Sequence, residues 1–195
     1  MVCLVAAGTV LGYQAWLFWG TGLHTARAQR LLRAEIQRQL QEPSAPNPLP
    51  ARKDRKAPEP VPVHFDEGDP VAILRIPRIG LDTVVVEGTS PEVLTMGPGR
   101  YLGSAYPWDQ AGRVAISGHR TTYLRPFWDL DKLRPGDPIV LVTRFGTYRY
   151  RVTRSAVVDP DDLWVLRQTR EPTLVLTTCT PRFFSFHRLV VFAER

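Results

Sequence analysis

Seven prolines between Pro43 and Pro62, in PSAPNPLPARKDRKAPEPVPV, constrain this 195-residue chain more than any other feature. Proline lacks the backbone N–H that a helix interior or a central strand needs. A stretch this rich in it favours extended polyproline II, at about 3 Å per residue. The chain is therefore divided: residues 43–63 read as a linker, 1–42 precede it and 64–195 form the globular part. Fully extended, the linker is a semi-rigid spacer of about 60 Å, suited to holding a domain off a surface.

The segment before it suggests which surface. Residues 1–23, MVCLVAAGTVLGYQAWLFWGTGL, carry no charged side chain, and the first is Arg27. Crossing a bilayer takes about 20 apolar residues. Trp16, Phe18 and Trp19 suit the membrane–water boundary. A cleaved signal peptide would carry a basic start and a shorter apolar run, so a transmembrane anchor is expected. Gly8 and Gly12 form a GxxxG, a pattern that chance also supplies. Residues 24–42 lack Gly and Pro, and Leu31, Leu32, Ile36 and Leu40 form a partial apolar stripe. They read as a juxtamembrane helix continuing from the membrane.

The charge agrees with a membrane. Of the net +6, residues 1–60 hold 8 basic and 4 acidic side chains, and residues 61–195 hold 17 and 15. The excess sits beside the apolar run, where it meets anionic lipid, and not on a nucleic-acid face. Arg27, Arg30, Arg33 and Arg38 all follow the span, so the positive-inside rule read literally would place the C-terminal part in the cytoplasm. A start codon set too far downstream would produce that pattern. The two cysteines, Cys3 in the apolar run and Cys179, exclude a disulfide framework and a cysteine-based zinc site.

From Val71 onward the texture is short strands with turn punctuation. AILRIPRIGL and TVVVEG, with Gly80 near the turn, read as two strands. GRVAISGH, PIVLVT, TYRYRVTRSAVV, TLVLTT and HRLVVFAE follow, and TYRYRVT alternates as a half-buried strand should. SPEVLTMG reads as a short helix capped by Ser90, and FWDLDKLRPGD as a helical turn. GPGRYLG lacks the spacing of a nucleotide loop and reads as a turn. About eight short strands with few helices and no βαβ alternation predict a mainly β domain, an antiparallel sandwich or a closed barrel.

Two strands end in chemistry. Cys179 follows TLVLTT, where a rigid strand can present a nucleophile at an open surface. His119 leaves VAISG in the same way, and the two ends brought together would make a Cys/His pair. The residues alone leave a structural thiol and a hydrogen-bonded turn histidine equally open. His187 and Arg188 are neighbours on one strand and face opposite sides, so only one can point at a site on a given face. Arg188 there would stabilise a thiolate and an oxyanion. Phe183, Phe184 and Phe186 either wall such a site or pack within their own loop.

VLTTCTP, with Arg188 nine residues after the cysteine and GHR about 60 residues before it, resembles the sortases over roughly residues 71–195. Val175 stands where the family pattern TLxTC has its first Thr. TCTP and GHRTTY are similar to class E sortases of actinobacteria. The resemblance implies an eight-stranded sortase-like β-barrel. It implies Cys179 as nucleophile, His119 as general acid/base and Arg188 as transition-state stabiliser. It implies transpeptidation: cleavage of an LPxTG- or LAxTG-like sorting signal between Thr and Gly, a thioacyl-enzyme, and transfer of a secreted protein to a lipid II-like cell-wall amine. Such an enzyme is held in the cell membrane by one span with its catalytic domain outside. Thr121, Thr122, Tyr123, Thr178 and Leu166, the last in the loop Leu163 to Leu166, are candidate substrate contacts. No cofactor or metal is expected: Asp159, Asp161 and Asp162 could offer calcium oxygens, but a turn with an Asp capping DLWVLRQ explains them better. A non-catalytic surface-binding barrel and a hydrolysing cysteine peptidase are the rival functions.

Overall fold

The computed structural model describes Gly8, Thr9, Gly12 and residues 20–41 and 64–195. Helix α1 (Thr21–Gln41) precedes eight strands. These are β1 (Pro70–Ile76), β2 (Leu81–Glu87), β3 (Gly99–Arg100) and β4 (Arg113–Ser117), then β5 (Pro138–Thr143), β6 (Gly146–Val158), β7 (Thr173–Thr180) and β8 (His187–Glu194). They close into a barrel in the order β1-β2-β3-β4-β7-β8-β6-β5. The mainly β barrel is therefore as expected. The expected anchor over 1–23 lies almost wholly outside the described residues, and among those described no helix is long and apolar enough to cross a membrane.

Strand composition follows what covers each face. Leu74 and Ile76 of β1 and Leu174 and Leu176 of β7 point into the barrel with Ile116, Leu141, Tyr150 and Val191. Their neighbours Ile73 and Val175 point outward and are also buried, at 2% and 0% exposure. Both strands are covered on both faces there, which is why VAIL and TLVL read as unbroken apolar runs. In β6 only the inner face is covered, with Tyr150 and Val152 buried between exposed neighbours, so its sequence alternates.

The cover over Ile73 is α1. Ile36, with Leu32 and Leu40, packs on Ile73 and Val84, while Leu31 points to solvent. Gln29 fixes the docking: its amide oxygen accepts from Val84 N at 2.8 Å and Thr83 Oγ1 at 2.9 Å. Its amide nitrogen donates to the carbonyls of Val84 and Met96 at 3.0 and 2.9 Å. The helix expected to extend from the membrane is thus part of the barrel's body. The proline-rich segment 43–63 lies outside the described residues, but both its flanks belong to that body: α1 ends at Gln41, and Phe65 packs on Tyr106 and Trp108.

Two further differences concern topology. GPGRYLG is not simply a turn, because Gly99–Arg100 forms β3, pairing parallel to β2 and antiparallel to β4. A Cβ on Gly99 would lie 2.0 Å from the Gly88 carbonyl oxygen, so only glycine permits this approach. The barrel is also not all antiparallel: β4 and β7 run parallel, Ser117 level with Thr177.

Candidate active site

The parallel β4–β7 pairing decides the site. Two antiparallel neighbours would release the chain at opposite ends of the barrel, whereas these two release it at the same end. Continued two residues beyond Ser117 and Thr177, their register brings His119 and Cys179 level. On the other side of β7, Cys179 is the direct partner of Arg188 on β8. His119, Cys179 and Arg188 thus lie in a row across three neighbouring strands.

They also share a face. Leu174 and Leu176 point inward, and alternation turns Val175, Thr177 and Cys179 outward. On β8, Leu189 and Val191 point inward, leaving Arg188 and Val190 outside with Cys179. His187 turns the other way and holds Asp159 through its ring Nδ1 at 3.0 Å. Below the row, the outer face is lined by Ala115, Val175 and Val190, with Val165 and Leu166 of the turn Leu163–Leu166 packed on them. Leu166, singled out from sequence, therefore packs on the same outer face as Val175 and Val190.

Thr178 is not where a substrate contact would be. Alternation turns it into the barrel, where it is 2% exposed and its hydroxyl donates to the Gly118 carbonyl at 2.7 Å. Its role is to tie β7 to the chain just before His119. Tyr123 does reach the site, its ring lying 4.7 Å from that of His119. Thr121 and Thr122 are half-buried, and the Thr122 carbonyl accepts from Arg125 N in a turn. The turn is costly, because Tyr123, Leu124 and Arg125 all have positive φ, at 53°, 61° and 51°. Each such non-glycine residue costs about 1–2 kcal/mol.

Burial holds the His119 imidazole below its ordinary pKa, because desolvation disfavours the cation. The Arg188 guanidinium donates to the Ser185 and His187 carbonyls at 3.1 and 3.3 Å, which places a positive charge at the β7–β8 turn. Phe183, Phe184 and Phe186 of that turn are each more than half exposed. Phe184 stacks on Phe186 at 5.1 Å, and Phe183 meets Trp128 edge-on.

Sequence reasoning missed Arg120. It is 6% exposed, pairs with Asp131 at 3.0 Å, and donates to Thr180 Oγ1 at 2.8 Å and to the Cys179 carbonyl at 3.4 Å. It clamps the exit of β7 to that of β4. The signal was an arginine directly after a strand-end histidine, on the opposite face from it. The acidic cluster is likewise resolved. Asp159 holds His187, and the Asp162 carboxylate accepts from Asp159 N at 3.0 Å, capping its own turn and not the following helical turn. Among the described residues no three metal-binding side chains converge.

A closed barrel that pairs a cysteine with an arginine on neighbouring strands, with a histidine at the exit of the adjacent parallel strand, is an arrangement suited to cysteine acyl transfer. The sortase domain family matches residues 74–195, and the chain belongs to the sortase family, whose members are cysteine transpeptidases. It is 29% identical to sortase D of Bacillus subtilis, over 98% of this chain and 95% of that one. It is 34% identical to Sortase SrtE1 of Streptomyces coelicolor over 68% of this chain, and spans 42% of that protein's length. The fold superimposes on a Clostridium perfringens sortase D5 transpeptidase with a TM-score of 0.71, at 28% identity, covering 86% of this chain and 98% of that one.

Proposed function

We propose that Cys179 is the nucleophile, His119 the acid/base and Arg188 the oxyanion stabiliser of a membrane-anchored transpeptidase. The observation that carries this is the pairing of Cys179 with Arg188 on one face, with His119 two residues past the end of β4, the strand that runs parallel beside β7. The Cys179 thiolate attacks the Thr carbonyl of a sorting signal. The Arg188 guanidinium steadies the negative charge that forms on the oxygen. The C–N bond breaks, a thioester forms, and the imidazolium of His119 gives its proton to the departing Gly amine. A cell-wall amine then attacks the thioester, passing its proton to His119 and releasing the thiolate. Burial of His119 favours its neutral form.

Sortases act on proteins bearing a sorting signal and join them to a cell-wall amine. For this chain we read the signal as LAxTG- or LPxTG-like, with its Leu against Leu166, half-buried beside the sealed Val175 and Val190. TCTP and GHRTTY support a class E-like reading, while the sortase D relative matches more of the chain. The apolar run 1–23 supports one span with the catalytic domain outside the cell. The docking of α1 gives that reading a consequence. Thr21, at the end of the helix fed by that run, lies against Tyr123 beside His119, so the site faces the anchored end of the molecule. A lipid-linked acceptor is held at that end.

The test is cleavage of LAxTG and LPxTG peptides by the full chain in detergent micelles, with and without an amine, beside Cys179→Ala. Cysteine-dependent cleavage with an amide product is expected. Cleavage that yields only acid would make the chain a peptidase. Inertness of the folded protein toward both peptides would return it to a binding barrel.

A further inference from the structure

The loop that carries Tyr123 is held by an element distant in sequence. Thr21 and Thr25, one turn apart on the barrel side of α1, are buried polar residues at 6% and 1% exposure. The Thr25 hydroxyl lies 2.7 Å from the Thr95 carbonyl and 3.1 Å from the carbonyl of Thr21 one turn back, and its shorter contact belongs to the docking on the β2 side. The Thr21 hydroxyl accepts from the backbone N–H of Tyr123 at 3.4 Å. Gly22, the next residue, comes close to Leu124, whose side chain would be 3.5 Å from a Cβ at that position.

What α1 grips there is the strained turn. Three successive left-handed residues persist only when their surroundings over-determine them. Packing does not supply this. Leu124 is 53% exposed, and open clefts of about 200 and 250 Å³ flank Leu124 and Pro126. One cleft lies toward Ile79 and Trp128, the other toward Gln29 and Arg33 of α1. The turn is instead held by directional contacts: Arg125 N to the Thr122 carbonyl at 2.9 Å, Phe127 N to the His119 carbonyl at 3.1 Å, and Tyr123 N to Thr21. Of these, the bond to Thr21 is the one that reaches outside the loop. Directly beyond it, the Tyr123 ring lies on the ring of His119.

We propose that Thr21 and Tyr123 are positioning residues, through which the N-terminal helix latches the strained turn and sets the placement of the His119 ring. The inference rests on the acid/base role given to His119 above. It assigns α1 a second task beside covering β1 and β2, at the point where the apolar run joins the domain.

The test uses the full chain in detergent micelles, with Thr21→Val, Thr21→Ser, Thr25→Val, Tyr123→Ala and Tyr123→Phe. Hydrogen exchange of the amides of residues 121–125 and the kcat and KM for a sorting peptide are read together. Thr21→Val is expected to speed exchange at Tyr123 about tenfold and to lower kcat about 3- to 10-fold with KM within about twofold. Thr21→Ser, which keeps the hydroxyl, restores both. Thr25→Val removes a buried hydroxyl of the same helix and lowers the melting temperature, but leaves exchange at 121–125 and kcat as in wild type. Tyr123→Ala lowers kcat as Thr21→Val does, and Tyr123→Phe restores it. The proposal is overturned if Thr21→Val and Thr25→Val behave alike, or if Tyr123→Ala leaves kcat unchanged. Exchange at Tyr123 reports the latch without turnover, so its result stands apart from that of the catalytic assignment.

Discussion

The outer surface of the barrel is apolar in two places, and they are finished differently. Over β1 and β2, Ile73 and Val84 are sealed by Ile36, Leu32 and Leu40 of a 21-residue helix, locked by the four bonds of Gln29. Over β4, β7 and β8, Ala115, Val175 and Val190 are just as buried, packed with Phe192, Tyr101, Ala156 and Val158 as well as Val165 and Leu166 of the short turn Leu163–Leu166. Beyond that sealed strip come His119, Cys179 and Arg188, each only half-buried. The room for a ligand therefore lies at these exits and not on the strip. The same strand pattern, apolar on both faces, serves packing in β1 and in β7, and the two differ in what the strand end presents.

The sharpest way to break this contrast is at its reactive end. Arg188→Ala is expected to lower kcat/KM by about 10²–10³-fold, the usual loss for an oxyanion donor. Arg188→Lys keeps the charge but not the planar fork, and is expected to recover only part of the loss. An equal melting temperature in both variants would show that the effect is chemical. Full activity in Arg188→Ala would remove the residue from the mechanism.

The two covers can then be compared directly. Ile36→Ala opens a cavity under α1 and is expected to cost about 2–5 kcal/mol of stability, read by denaturant unfolding. Leu166→Ala in the half-buried turn is expected to raise KM for a Leu-bearing peptide about tenfold, with under about 1.5 kcal/mol lost. If Leu166→Ala proves as destabilising as Ile36→Ala with KM unchanged, both faces are plain core.

The sequence displayed one side of this contrast better than the other. Strand positions and the two strand-end residues were legible because period-2 alternation and apolar runs are local. TYRYRVT read as half-covered and proved so. The destination of residues 24–42 was not legible. The stripe of Leu32, Ile36 and Leu40 shows that a face is buried but not against what, and Gln29, the residue that fixes the docking, looks like any surface glutamine. Nor could sequence show that β4 and β7 run parallel, since direction depends on barrel closure. Thr178 was misjudged as a substrate contact because adjacency to Cys179 in sequence means the opposite face in a strand. Arg120 was passed over for the converse reason: its charge belongs on a surface by composition, yet Asp131 and Thr180 pay for its burial.

Arg120 therefore makes a finer test. Arg120→Met keeps much of the bulk but removes the clamp, and Asp131 retains Arg182 at 2.8 Å, so no carboxylate is stranded. The expected cost is about 1–3 kcal/mol of stability. Turnover is expected to fall several-fold as the β7 exit loosens around Cys179. Stability lost with turnover unchanged would make Arg120 part of the scaffold alone.

The smallest effect concerns His119 as a titrating group, half-buried just past the end of β4. Its pKa is lowered in the folded chain by burial. In the unfolded chain it titrates near the ordinary histidine value of about 6.5. As pH falls through that value the unfolded state takes up the proton first, so the folded state loses stability relative to it. Above about pH 6.5 neither state is protonated and the penalty vanishes. His119→Gln, which cannot titrate, is expected to match the wild-type melting temperature near pH 8 up to a constant offset, and to fall less steeply between pH 6.5 and 5. Parallel curves for the two proteins across that range would mean that the imidazole is solvated in the folded state, and that the face above Cys179 is more open than the packing of Tyr123 on His119 implies.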